Sequence, residues 1–200
     1  MGKIQIKLQI GIKNAVNLSS VTDGFYKNDL IKLPFPEDAL KVRQKALDWG
    51  LNAQVEKFET TLNRAAEEAA KEALPIFTNA ITGMSVQDGF AILKGGQGAA
   101  SKFLKDQTTT SLVAAFSPKV KEAISKVKLT DLWNPIINKY NTAMSLTGGE
   151  KINPDLNAYV TDRAIKGLFQ LVENEENKIR KDPMARVSDL LIKVFGSVTN

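Results

Sequence analysis

The sequence predicts an all-α fold, a multi-helix bundle built around two long helices over about residues 52–82 and 154–181. Three observations carry that expectation. Val55, Phe58, Leu62, Ala65, Ala69, Ala73, Phe77 and Ile81 recur in steps of three or four, which lays one apolar stripe along a helix. Val160, Ala164, Leu168, Leu171, Val172 and Ile179 draw a second stripe of the same period. Helix start and stop signals then divide the rest of the chain into short helical pieces.

The first stripe has alanine at its centre, the best helix former and a side chain small enough for close helix–helix approach. Pro75 lies within it, removes a backbone donor and should kink or split the helix near residues 71–74. Residues 3–13, KIQIKLQIGIK, alternate apolar and polar, as one face of a strand would. No second strand of this quality follows, so a lone strand over 3–12 would need a partner chain. The rival reading is a helix over 8–18 with Leu8, Ile12, Ala15 and Val16 inward; residues 1–7 then form a flexible or partner-pairing segment.

Residues 19–36 read as a long loop of turn formers, pinned to the core by Phe25, Tyr26, Ile31, Leu33 and Phe35 and covering a helix groove. Pro36-Glu37-Asp38 opens a helix that Gly50 ends. Ser85-Val86-Gln87-Asp88 reads as a capping box with Asp in place of Glu. Helices are expected over 99–107 and 111–116, with a junction at Thr108-Thr109-Thr110 and a new start at Ser117-Pro118. Another begins at Thr130-Asp131, and residues 141–151 read as a flexible loop. Asn153-Pro154-Asp155 starts the second long helix, Pro183 ends it, and Ser188-Asp189 caps a last helix over 190–195.

Two hundred residues with 43% apolar content suit a single helical domain over 1–200. No apolar run is long enough for a transmembrane helix, and no signal peptide is evident, as in a mature or trimmed form. Cysteine and histidine are both absent. That excludes disulfides, thiolate or histidine metal sites, a cysteine nucleophile and a Ser-His-Asp triad. Catalysis would fall to carboxylates, lysine or tyrosine, and any metal site would be all-oxygen. The net charge of +5 is scattered over helix faces without a basic block, so nucleic acid is not favoured.

Few constellations suggest chemistry. Residues 96–102, GQGAASK, lack Walker spacing and a preceding strand, although a Gly-rich turn before a helix offers N–H groups to an anion. Glu56, Glu59 and Glu67 could face Glu173 and Glu176 across a helix pair, but ion pairs with Lys and Arg are the plainer reading. Asn63 is a poor helix residue on a surface of good helix formers, which suggests that it binds a loop or a ligand.

Several motifs occur together and in order. They are Asp23-Gly24-Phe25-Tyr26-x-Asn28, Leu62-Asn63-Arg64-Ala65-Ala66-Glu67-x-Ala69 and Pro75-Ile76-Phe77-x-x-Ala80-Ile81. Val160-Thr161, Gly167-Leu168-Phe169, Glu175-Glu176-x-Lys178-Ile179-Arg180 and Asp189-Leu190-Leu191-x-x-Val194-Phe195-Gly196 continue the set. Together they resemble the bacterial domain of unknown function 4197 family, from about residue 8 to 196. The resemblance implies a helical, envelope-associated protein, periplasmic in mature form, and brings no established activity. Through it, Asn63, Arg64, Glu67, Tyr159, Thr161, Glu175, Glu176, Arg180 and Arg186 are the candidate ligand-binding residues, expected to converge on one groove. An Arg pair with Asn and Thr would suit a carboxylate or phosphate headgroup.

The leading expectation is therefore a non-enzymatic binding or scaffold protein of the bacterial cell envelope. It would hold a small apolar or anionic ligand, a lipid or a peptide, in a helix-lined groove, with no cofactor, metal or catalytic residue assigned. One alternative is an enzyme using a carboxylate pair such as Glu67 and Glu176, hydrolase-like. Another is self-association through residues 3–13.

Overall fold

The computed structural model describes residues 2–126, 129–149, 151, 153 and 155–181. The described residues hold eight α-helices: α1 (Gly2–Ser19), α2 (Leu40–Asp48), α3 (Asn52–Ala70), α4 (Ala73–Thr82), α5 (Val86–Lys94), α6 (Ala99–Lys126), α7 (Leu129–Thr147) and α8 (Leu156–Lys181). A single 3₁₀ turn, Glu37–Ala39, precedes α2. The all-α expectation holds. The Pro183 stop, the last helix over 190–195 and Arg186 lie outside the described residues.

The N-terminal strand reading is corrected: residues 2–19 are one helix. Alternation at every second residue also contains a repeat at every fourth. Ile12, Ala15, Val16 and Ser19 are buried, and Leu8 packs on the same core. With no other strand among the described residues to complete a ladder, intrahelical hydrogen bonds satisfy this backbone. The residues left over by the helical period, Ile6 and Ile10, stay 56% and 54% exposed.

The first long helix splits where Pro75 requires it. α3 ends at Ala70, Lys71 and Glu72 form a turn, and Pro75 becomes the third residue of α4, where its missing N–H costs little. The stripe survives the break: Val55, Phe58, Leu62, Ala65, Ala69, Ala73, Phe77 and Ile81 are all buried.

α6 corrects a second expectation, since Thr108–Thr110 and Ser117-Pro118 interrupt nothing and one helix runs through both. The Thr108 and Thr109 hydroxyls donate to the carbonyls of Leu104 and Lys105, each at 2.6 Å, so they fit a helix interior. Ala100, Leu104, Thr108, Leu112, Phe116, Val120 and Ile124 are buried in steps of four. Each step overshoots a 3.6-residue turn, so the stripe winds around the helix. α6 is accordingly covered on successive sides by α3, α4, α5, α7 and α8. The loop expected over 141–151 is also corrected. α7 continues to Thr147, with the hydroxyls of Thr142, Ser145 and Thr147 bonded back one turn, and Gly148 leaves it at φ +71°.

The turn-rich segment over 20–36 lies against α3 and α8. Phe25, Ile31, Leu33 and Phe35 are buried, and Phe35, Phe58 and Trp133 form an aromatic trio with centroids 4.6 to 5.8 Å apart.

Candidate functional site

α3 presents a row of polar side chains to that segment. Asn63 is fully buried, accepts the Leu33 N–H at 2.8 Å and donates to the Leu33 carbonyl at 3.0 Å. It thereby satisfies both backbone groups of a buried loop residue, which is why a weak helix former stands there. One turn on, a Glu67 oxygen accepts the N–H groups of Phe25 and Tyr26 at 3.1 and 3.2 Å. Its other oxygen receives Arg64 at 2.7 Å, and Arg64 reaches Asp23 at 2.6 Å. Asp23 sits at φ +69°, and hydrogen bonds from Lys27 and Arg64 hold its carboxyl below the ordinary value. On α8, the half-buried Tyr159 donates to the Pro34 carbonyl at 2.9 Å, and burial pushes its phenol up. Thr161 is buried, and its hydroxyl has no hydrogen-bond partner among the described residues.

A second cluster joins α5, α6 and α8. Glu176 accepts the N–H groups of Ala100 and Ser101 at 3.1 and 2.9 Å and the Ser101 hydroxyl at 2.8 Å. The Gly-rich turn before α6 does receive an anion, and that anion is the chain's own carboxylate at the positive end of the helix. Arg180 closes the cluster, bonding Glu176 at 2.9 Å and the Ile92 carbonyl at 2.8 Å. Burial works to raise the Glu176 carboxyl, but the Ala100, Ser101 and Arg180 hydrogen bonds outweigh it and carry it below its ordinary value. Glu175, on the neighbouring face, accepts from Asn14 at 3.1 Å and Lys178 at 2.6 Å. There too burial is outweighed by those two partners, and the carboxyl is lowered.

The candidate residues therefore divide among separate anchor points. Asn63, Arg64, Glu67 and Tyr159 hold the 20–36 segment; Glu176 and Arg180 hold the start of α6; Glu175 ties α1 to α8. No hydrogen bond links Glu67 to Glu176, because each faces a different backbone segment. Among the described residues no group of three or more Asp or Glu side chains is placed to hold a metal ion. Arg64 borders a cleft between α3 and α6 that also carries Glu68, Lys119 and Glu122, a balanced set of charges.

A cleft of mixed apolar and charged lining lies elsewhere, between the last three turns of α8 and the segment joining α1 to Leu30. Its volume is about 420 Å³. Leu18, Leu30 and Leu171 form apolar walls; Asn28, Asn174 and Asn177 supply amides; Glu175, Lys178 and Lys181 supply the charges, with Lys178 paired to Glu175 at 2.6 Å. Leu30 is 69% exposed and Leu18 is 50% exposed. The Asn177 carbonyl oxygen is buried without a partner among the described residues, and turning the amide over would bury its NH₂ instead.

The family model described as protein of unknown function (DUF4197) matches residues 3–196. The chain belongs to that family. No curated protein and no solved structure matches it. The match spans both the anchor points and the cleft of this DUF4197 chain, including every residue named in either.

Sequence reasoning did not find the cleft. Its one legible signal was the Leu30-Ile31 pair in a turn-rich stretch: adjacent apolar residues point apart, so when Ile31 is buried Leu30 is left outside.

Proposed function

We propose that this protein is a non-enzymatic helical binding or scaffold protein of the bacterial cell envelope, with its ligand in the cleft between Leu30 and the end of α8. The observation that carries the reading is a concavity in which exposed Leu18 and Leu30 meet the ammonium of Lys181, while Lys178 is paired with Glu175 of the same lining, an arrangement suited to an apolar ligand bearing negative charge. The envelope assignment rests on the family resemblance. A non-catalytic role is supported by the use made of the buried acids: Glu67 and Glu176 spend their oxygens on backbone N–H groups and arginine. Glu176 is also held below the ordinary carboxylate range, opposite to the shift a general acid needs.

Native mass spectrometry of the gently purified full chain tests the binding reading. A bound mass of lipid or peptide size, lost in Leu30→Asp, is the expected result. A mass that persists unchanged in that variant would remove the cleft as its site.

A second reading has one observation in its favour. Ile6 and Ile10 stand exposed one turn apart on α1, a surface that a second copy could cover helix against helix. Light scattering on Ile6→Lys/Ile10→Lys decides it: an oligomer in the parent chain that becomes monomeric supports this reading, and a monomeric parent chain rejects it.

A further inference from the structure

We infer that the outer face of α1 is the docking surface for the chain's own residues 187–196, VSDLLIKVFG, which lie outside the described residues. This goes beyond the cleft, and it gives the surface of the second reading a different occupant. Ile6 and Ile10 stand one turn apart on α1 and are 56% and 54% exposed. The other sides of the helix are taken. Gln5 donates to the Ile81 carbonyl of α4 at 3.0 Å, Ile12 and Val16 are in the core, and Asn14 donates to Glu175 of α8.

The end of α8 delivers the chain to this face. Asn14 meets Glu175, and a Cβ at Gly11 would lie 3.2 Å from Ile179 Cδ1, so α1 and α8 run side by side and antiparallel. Ile10 is therefore level with the last turn of α8, and Ile6 lies one turn further, where the chain leaves the helix at Lys181. Pro183 follows, and proline and the residue before it both oppose continued helix. Residues 182–189 separate Lys181 from Leu190 and can span roughly 25 Å when extended, about the length of α1.

The sequence of the segment fits the face. Val187, Leu190, Leu191, Val194 and Phe195 recur at the spacing of one helical stripe, and Asp189 and Lys193 fall opposite it. The pairs Leu190-Leu191 and Val194-Phe195 are one turn apart, as Ile6 and Ile10 are. Charge separates this occupant from a second copy. α1 carries Lys3, Lys7 and Lys13 and no acidic residue, so two copies of it laid together would bring like charges together. Residues 182–196 instead balance Asp182 and Asp189 against Arg186 and Lys193.

The chain contains no cysteine, so introduced pairs report contact without background. In the full chain Ile10→Cys is combined in turn with Leu190→Cys, Leu191→Cys, Val194→Cys and Phe195→Cys. Trp49→Cys, on the turn before α3 and 74% exposed, replaces Ile10→Cys in the controls. A disulfide requires Cα atoms within about 7 Å, so closure under mild oxidation, mapped by peptide mass, reads proximity. The expected result is a within-chain disulfide in at least one Ile10 pair, closing about tenfold or more faster than its Trp49 control. Ile6→Asp added to that variant should return closure to the control rate. Closure of every Ile10 pair at the control rate overturns the inference, and so does fast closure that Ile6→Asp leaves unchanged. Disulfides that join two chains in place of a within-chain bond overturn it as well, and assign the face to a second copy.

Discussion

Glu176 and Ser101 make the most concentrated polar contact between α8 and α6: one carboxylate oxygen accepts both the Ser101 N–H at 2.9 Å and its hydroxyl at 2.8 Å. The residues are 75 positions apart in the chain, so this contact fixes the start of α6 against the end of α8. Arg180 makes the carboxylate's charge tolerable at 5% exposure and carries the connection on to α5.

Glu176→Ala should therefore destabilise the fold by about 3 kcal/mol, because it strands two buried N–H groups and the Arg180 guanidinium together. Glu176→Gln keeps one accepting oxygen and should cost about half as much. Urea unfolding measures both, and hydrogen exchange should show the loss concentrated at the first turn of α6. Equal effects from the two variants would mean that the one oxygen glutamine keeps contributes nothing, and that the charge and the second oxygen carry the whole contact.

Acid should weaken the fold through the same group. The Glu175 and Glu176 carboxyls lie below their ordinary value of 4.5 in the folded protein, so the unfolded chain binds more protons in that window. Stability is then fully present above 4.5 and is lost as pH falls through the depressed folded values. A pH series of unfolding midpoints should show a shallower acid limb in Glu176→Gln, with parent and variant converging at the lowest pH. Parallel curves would assign the acid sensitivity to other groups.

Asn63 offers a sharper test of the clamp on the 20–36 segment. Asn63→Asp retains an acceptor for the Leu33 N–H but turns the donor facing two carbonyls into a buried negative charge. It should destabilise more than Asn63→Ala, whose cost of about 2–3 kcal/mol comes from orphaned backbone groups. Thermal melts rank the two; the reverse order would show that the Leu33 carbonyl does not depend on the amide.

The pattern that was legible in the sequence was apolar periodicity. The stripes of α3, α4 and α8 were read residue by residue, and Ser85 and Asp88 form the expected capping box. Misreadings came where a local signal was overruled by burial at longer range. Pro118 and the threonines of α6 read as punctuation until seven buried positions held the helix through them. Asn63 was singled out correctly as a misfit in its helix, since its partner is a loop backbone. Glu176 could be named but its role could not, because its partners lie 75 and 76 positions earlier.

Close packing around two glycines gives the last prediction. A Cβ at Gly167 would lie 3.0 Å from Phe25 and 3.1 Å from Ile31, both side chains of the covering segment. A Cβ at Gly24 would instead press on backbone, within 2.7 Å of the Ser19 carbonyl oxygen and closer still to that of Leu18. Side chains can adjust by tenths of an ångström, whereas the end of α1 is held by its own hydrogen bonds. Gly167→Ala should therefore cost about 1–3 kcal/mol, as an overpacked core does. Gly24→Ala should cost more, and should also expose the Glu67 carboxylate by displacing the Phe25 and Tyr26 N–H groups that follow it. Unfolding midpoints, together with amide exchange at Phe25 and Tyr26, separate the two cases. Faster exchange in Gly24→Ala alone is expected, and unchanged exchange there would show that the turn moves as a unit and keeps its hold on α3.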